Sequence, residues 1–216
     1  MKRIFDLNIP QTLEEVCDPS HVVLLVYDMQ VGILNQIKNA DAITQQVLKV
    51  LTAARNAGVR VFFSRHLSLP NELMGTFQFR TAMAWQRVDS PDKVKPWFLR
   101  DSPGFQIISE LAPLPREGIF DKLAMSAFEG TWLDLALKDC GIHAFIIVGV
   151  ATEIGIDPTV RHGADLGYIP VFVSDACSGG NEEAAIRSIE NFRFIGDAFI
   201  TDTATVCQLL QRSAAS

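Results

Sequence analysis

The stretch of residues 144–167 constrains the fold of this chain more than any other. It reads AFIIVGV followed by ATEIGIDPTVRHGADLG. The short apolar run, rich in Ile and Val, predicts a strand that is covered on both faces. A helix is expected to begin near Ile154, with Pro158 in its first turn and Gly167 just past its end. A strand that leads directly into a helix start directs backbone N–H groups at one place, and such a place suits an anion or a developing oxyanion.

The rest of the chain repeats this alternation of strand and helix. Further strands are predicted at residues 21–27, 59–64, 118–122, 169–174 and 198–201, and further helices at residues 41–57, 102–111, 131–140, 182–194 and 203–211. Alternating elements predict a mostly parallel sheet of about six strands with helices on both faces, which is a three-layer α/β sandwich. The chain contains no repeat or linker, so residues 1–216 are expected to form one domain.

Composition excludes several classes of function. The chain is 48% hydrophobic and 20% charged, as in ordinary globular proteins, and its net charge of −6 disfavours binding to nucleic acid. No apolar run approaches the roughly 20 residues that span a bilayer, and the N-terminus lacks the apolar segment of a signal peptide. The four cysteines lack metal-site spacing and are expected to be reduced thiols. We therefore expect a cytoplasmic protein that binds neither nucleic acid nor a membrane.

Polar residues stand at the carboxyl ends of several predicted strands. Asp28 follows residues 21–27, Lys122 ends residues 118–122, and Gly155 lies in the turn after residues 144–150. Ligands of parallel sheets bind at this edge, so these three positions are expected to meet there. The alternatives are a turn cap for Asp28, a solvated lysine for Lys122, and a close helix–sheet contact for Gly155.

Four sequence blocks carry a resemblance to a known family. They are VYDMQ at residues 26–30, DKLAMSAF at residues 121–128, GVATEIGI at residues 149–156 and SDA at residues 174–176. In this order they resemble the motifs of the isochorismatase-like hydrolases, also called cysteine hydrolases. The resemblance spans most of the chain. It implies the strand order 3-2-1-4-5-6 for the six predicted strands, a cis peptide bond between Val150 and Ala151, and a homodimer or homotetramer.

The chain departs from the common pattern of that family at one position. Most members use Asp, Lys and Cys together, and Gly155 stands where they have the nucleophilic Cys. Isochorismatases of the family also carry glycine there and cleave a vinyl ether without a covalent intermediate. The resemblance therefore implies a hydrolase of a small carboxylate-bearing molecule. In it, Asp28 is the general acid, Lys122 orients Asp28 and binds the substrate carboxylate, and Gly155 leaves room for substrate or water.

Two alternatives to this reaction stay open. One is an amide hydrolase with a non-standard nucleophile such as Cys177, and the other is a binding homologue that has lost catalysis. An introduced Cys→Gly change at position 155 is a third explanation of the glycine.

The remaining candidate residues are expected to bind the substrate. They are Gln30, Arg87, Val150, Ala151 and Thr152. Arg87 is chosen because its guanidinium can bind a carboxylate through two hydrogen bonds, although a surface arginine is an equal alternative. Residues 68–100, with Trp85 and Trp97, are expected to cap the site. No cofactor and no metal are expected, because His66 lacks companion ligands at metal-site spacing.

Overall fold

A parallel sheet of six strands forms the centre of the computed structural model, which describes residues 1–214. The chain begins with an antiparallel hairpin, β1 (Lys2–Ile4) and β2 (Leu7–Ile9). The strands of the main sheet are β3 (Val22–Tyr27), β4 (Arg60–His66), β5 (Gly118–Lys122), β6 (Ala144–Val150), β7 (Ile169–Ser178) and β8 (Phe199–Thr201). Their order is β5-β4-β3-β6-β7-β8, and every neighbouring pair is parallel. This confirms the predicted α/β fold and its strand order.

Helices cover both faces of this sheet. They are α1 (Leu13–Val16), α2 (Val31–Leu34), α3 (Ala40–Asn56), α4 (Thr76–Gln86), α5 (Leu133–Asp139), α6 (Asp157–Asp165), α7 (Glu182–Ile195) and α8 (Thr203–Ala214). A π-helical turn, Thr152–Ile156, connects β6 to α6. Within residues 1–214, no helix is both long enough and apolar enough to cross a membrane.

The alternating side chains of β3 explain why two cores form. Val22, Leu24 and Val26 join a core that includes residues of α3, while Val23, Leu25 and Tyr27 join the core beneath α5 and α6. Successive residues of a strand point to opposite faces, so a strand that is apolar at every position can be buried only between two helical layers.

The predicted helix at residues 102–111 is wrong. Only a single 3-10 turn forms there, at Pro103–Phe105. Residues 106–108 pair instead with the residues after β3: Val31 N donates to Gln106 O at 2.9 Å, and Ile108 N donates to Met29 O at 3.1 Å. Residues 109–111 form a turn.

An ion pair between Arg55 of α3 and Glu117, the residue before β5, holds the start of β5 against α3. Arg55 donates from Nε and Nη2 to the two carboxylate oxygens of Glu117 at 2.7 and 2.8 Å, and Leu114 N donates to the same carboxylate at 2.7 Å. Burial favours a higher pKa for Glu117, but the hydrogen bonds from Arg55 and Leu114 outweigh it and lower the pKa below its usual value.

We predict that Glu117→Gln lowers the free energy of unfolding by about 1–3 kcal/mol at pH 7, because a charge-assisted hydrogen-bond pair is lost. A carboxyl with a lowered folded pKa stabilises the fold above its unfolded pKa and loses that effect as the pH falls through the folded value. The difference between wild type and variant should therefore shrink below about pH 4.5. Urea unfolding at several pH values measures this. An equal difference at pH 3 and pH 7 would contradict it.

Candidate active site

A cavity of about 530 Å³ opens at the carboxyl edge of the sheet. Asp28, directly after β3, and Gly155, in the π-helical turn after β6, both line it. Lys122, the last residue of β5, is buried directly behind Asp28. The structure thus brings together the three positions that the sequence placed at strand ends.

The carboxylate of Asp28 is held by two neighbouring strands. Its Oδ2 accepts a hydrogen bond from Lys122 Nζ at 2.7 Å, and its Oδ1 accepts one from Ser64 Oγ at 2.5 Å. The Asp28 backbone N donates to the same Ser64 Oγ at 3.1 Å. Asp28 has a φ of 47°, a left-handed conformation that is rare outside glycine and occurs often at active sites. Its side chain is therefore fixed in one orientation at the cavity.

The side-chain ammonium group of Lys122 is buried. The residue is 2% exposed, and burial lowers its pKa, while the charge and hydrogen bond of Asp28 oppose that shift. Its Nζ also donates to Ala124 O at 3.3 Å and lies 4.4 Å from the centre of the Tyr27 ring. A buried ammonium with a lowered pKa gives up a proton more readily than a solvated one does.

His66 lines the cavity beside this pair as a neutral side chain. Burial, followed by the nearby positive charge of Lys122, lowers its pKa to about 4, although Asp28 opposes the shift. Its ring packs edge-on against Phe98 at 5.8 Å between centroids. Among residues 1–214, His, Cys, Asp and Glu form no group of three or more that is arranged to hold a metal ion.

The backbone N–H groups of the turn after β6 were expected to be free to bind an anion. The peptide bond between Val150 and Ala151 is cis, and both residues line the cavity. The N–H groups of Ile154, Gly155 and Ile156 all donate to the carbonyl of Ala151, at 3.3, 3.0 and 3.2 Å. The expectation of free N–H groups in this turn therefore fails for these three, because the π-helical turn uses them internally.

The space beside Gly155 is filled by Tyr27, a residue that the sequence analysis did not select. A Cβ atom at position 155 would overlap the Tyr27 hydroxyl and would lie 2.5 Å from its Cζ. That hydroxyl donates a hydrogen bond to the carbonyl of Met125. The only sequence signal for Tyr27 was its place directly before Asp28 at a strand end.

The segment between β4 and β5 supplies the outer wall of the cavity. Trp85 lies in α4, Arg87 follows the end of that helix in a left-handed conformation, and Trp97 and Phe98 come from the loop beyond. This wall is aromatic, with one exposed guanidinium at its edge. It is suited to a flat, partly apolar molecule that carries a negative charge.

Two of the proposed substrate-binding residues lie outside the set that lines this cavity in the described chain, namely Gln30 and Thr152. Gln30 is fully buried: its Nε2 donates to the carbonyls of His66 and Phe105, and its Oε1 accepts from His66 N at 2.6 Å. Gln30 thus holds the end of β4 against the 3-10 turn Pro103–Phe105.

Cys177 is buried in the second core and is not among the residues that line the cavity in the described chain. Burial raises the pKa of its thiol, and its Sγ lies 3.5 Å from the carbonyl of Ile147. A thiol that stays protonated and does not face the cavity is a poor nucleophile.

Comparisons with known proteins agree with this architecture. A family description named Isochorismatase domain matches residues 22–205. The chain is 24% identical to ureidoacrylate amidohydrolase RutB of Serratia proteamaculans, over 94% of this chain and 89% of that protein. It is 26% identical to the protein of the same name from Acinetobacter baylyi, over 90% of this chain and 86% of the other. The crystal structure of a cysteine hydrolase from Pseudomonas syringae pv. phaseolicola superposes with a TM-score of 0.77 at 25% identity, covering 92% of this chain and 96% of that one.

We predict that Lys122→Met lowers the free energy of unfolding by about 3–5 kcal/mol, because the buried carboxylate of Asp28 loses its charge partner. The double variant Asp28→Asn with Lys122→Met should lose less, since no uncompensated charge remains. Lys138→Met, which breaks an exposed pair with Asp134, is the matched control and should cost less than about 1 kcal/mol. Urea unfolding measures all three. If Lys122→Met costs no more than this control, the buried pair is not an ionic one.

Proposed function

Because the chain belongs to the isochorismatase family of hydrolases, we propose that it hydrolyses a small carboxylate-bearing substrate by direct attack of water, without a covalent thiol intermediate. The supporting observation is the buried Asp28–Lys122 pair beside a cavity whose lining, in the described chain, contains no cysteine. The side chain that a thiol mechanism needs at position 155 has no space there while Tyr27 keeps its place.

Cleavage of a vinyl ether is the first candidate reaction. Asp28 donates a proton to the terminal carbon of the enol ether, and the resulting oxocarbenium ion is attacked by water. The hemiketal then breaks down to an alcohol and a carbonyl compound, and the proton released from the water restores Asp28. Lys122 orients the carboxyl of Asp28 through the 2.7 Å hydrogen bond between them.

The substrate carboxylate is assigned to Arg87. Lys122 is buried and already donates to Asp28 and Ala124, so it supports the acid and does not reach into the cavity. Arg87 lies at the open edge of the aromatic wall, where its guanidinium can form two hydrogen bonds to a carboxylate.

Hydrolysis of a C–N bond is the second candidate, and the names of the two amidohydrolase relatives favour it. In that reaction Asp28, which lines the cavity, accepts a proton from the attacking water and passes it to the leaving nitrogen, while Lys122 orients Asp28. The residues are the same, but the proton moves in the opposite direction in the first step. The products of the two reactions identify which bond breaks.

We predict that Asp28→Asn reduces kcat by about 10²–10⁴-fold, the usual contribution of a general acid or base. Isochorismate as a vinyl ether and ureidoacrylate as a C–N substrate are the two assays, followed by identification of the products. Asp139→Asn, an exposed change at the end of α5, is the control and should leave the rate unchanged. Mass spectrometric trapping of an acyl-enzyme on the wild-type protein would contradict direct attack by water.

We predict that Arg87→Gln raises KM about tenfold or more with a smaller change in kcat, because a charged hydrogen bond to the substrate carboxylate is lost. Arg80→Gln is the matched control, since Arg80 is exposed on α4, the helix that Arg87 follows, but lies outside the set of residues lining the cavity in the described chain. Equal KM values for the two variants would remove Arg87 from the site. The homodimer or homotetramer and the cytoplasmic location predicted from the sequence stay predictions.

A further inference from the structure

Tyr27 contacts Met125 and Lys122 and borders Gly155. It is the last residue of β3, its side chain is almost fully buried, and it packs in the core beneath α5 and α6. Its hydroxyl donates to the carbonyl of Met125, in the segment that follows β5. Burial, and then the negative charge of Asp28, raise the pKa of this phenol well above its usual value, so it stays neutral and keeps that hydrogen bond.

The glycine at position 155 is explained by space and not by backbone conformation. Gly155 is not among the residues with a positive φ, so an alanine there would meet no backbone strain. A Cβ atom would, however, overlap the Tyr27 hydroxyl and lie 2.5 and 2.7 Å from its Cζ and Cε1. Because the ring is buried and the hydroxyl is hydrogen-bonded, Tyr27 cannot yield without losing contacts.

The ammonium group of Lys122, the partner of Asp28, lies over the face of the Tyr27 ring. Lys122 Nζ lies 4.4 Å from the ring centre and 2.7 Å from Asp28 Oδ2. A cation over an aromatic face is attracted by the electron-rich centre of the ring, and more strongly when water is excluded. Tyr27 therefore contacts Lys122 with its face and borders Gly155 with its hydroxyl end.

We propose that Tyr27 is a positioning residue of this site: its ring holds the Lys122 ammonium against Asp28, and its hydroxyl end fills the space that any side chain at position 155 would need. The role in hydrolysis rests on the proposed function, whereas the two contacts do not. It follows that the site can accommodate either Tyr27 or a larger residue at position 155, but not both. The thiol-free chemistry is then a property of the Tyr27–Gly155 pair and not of the glycine alone.

A mutant cycle tests the spatial half of this proposal. Gly155→Ala should raise the unfolding equilibrium constant about 10- to 100-fold in the wild-type background, which is the usual effect of overpacking a core. In the Tyr27→Met background the same change should have an effect of about threefold or less, because a flexible side chain can move aside. Gly180→Ala is the control for the loss of a glycine, since Gly180 is exposed, has no positive φ, and an added Cβ there would meet its nearest neighbour, Glu153 Oε1, at an ordinary 3.5 Å. An equal effect of Gly155→Ala in both backgrounds would overturn the pairing.

The titration of Lys122 tests the electrostatic half. NMR of lysine labelled with ¹³C at Cε, with the Lys122 signal assigned through Lys122→Arg, gives its midpoint directly. Tyr27→Phe keeps the aromatic face and should leave the midpoint unchanged, whereas Tyr27→Met should lower it by about 0.5–1 pH unit. Identical midpoints in Tyr27→Phe and Tyr27→Met would overturn the role of the ring.

Neither measurement uses catalysis, so the outcome separates this proposal from the proposed function. If both results are as expected while neither isochorismate nor ureidoacrylate is hydrolysed, the reaction assignment fails and the role of Tyr27 stands. If Tyr27→Met does not fold, the cycle is repeated in the Tyr27→Phe background. That change removes the closest contact, so Gly155→Ala should then have a smaller effect than in wild type, and an unchanged effect would again overturn the pairing.

Discussion

The buried ion pair between Asp28 and Lys122 is the interaction on which the rest of this site depends. Two charges removed from water are stable only when their geometry is good and their remaining hydrogen-bonding capacity is satisfied. Here the sheet supplies that geometry. Lys122 ends β5, Ser64 lies in β4 and Asp28 follows β3, and these strands are adjacent in that order. One side chain from each of three neighbouring strands therefore completes the group.

The same arrangement separates the tasks of a hydrolytic site. In the proposed reaction, proton transfer belongs to the buried pair, and the neutral His66 adds a polar surface without a competing charge. The aromatic wall and Arg87 lie farther out, on a segment outside the main sheet. A family that keeps the inner pair and varies the outer wall can change its substrate without rebuilding the proton-transfer group.

Helices and strands were predicted correctly where the spacing of apolar residues reflected their burial, and incorrectly where it did not. Helix α4 contains no fully buried residue, so it shows no strong apolar stripe, and its periodicity gave no prediction. The predicted helix at residues 102–111 was wrong because its apolar residues face an extended partner at Met29 and Val31. Both errors lie in the segment that builds the cavity wall and its support, where contacts distant in sequence decide the conformation.

The sequence by itself determined the six strands of the main sheet, the helices α3 and α5 to α8, and the gathering of Asp28 and Lys122 at one edge. These follow from apolar periodicity and from the rule that parallel strands end together. Only the tertiary structure decided what fills the space beside Gly155, which amides remain free, and which of the candidate residues reach the cavity. A glycine in the sequence shows that no side chain is present at position 155, but it does not show which residue occupies the space beside it. That residue is Tyr27, 128 positions away along the chain, and the two meet only after folding.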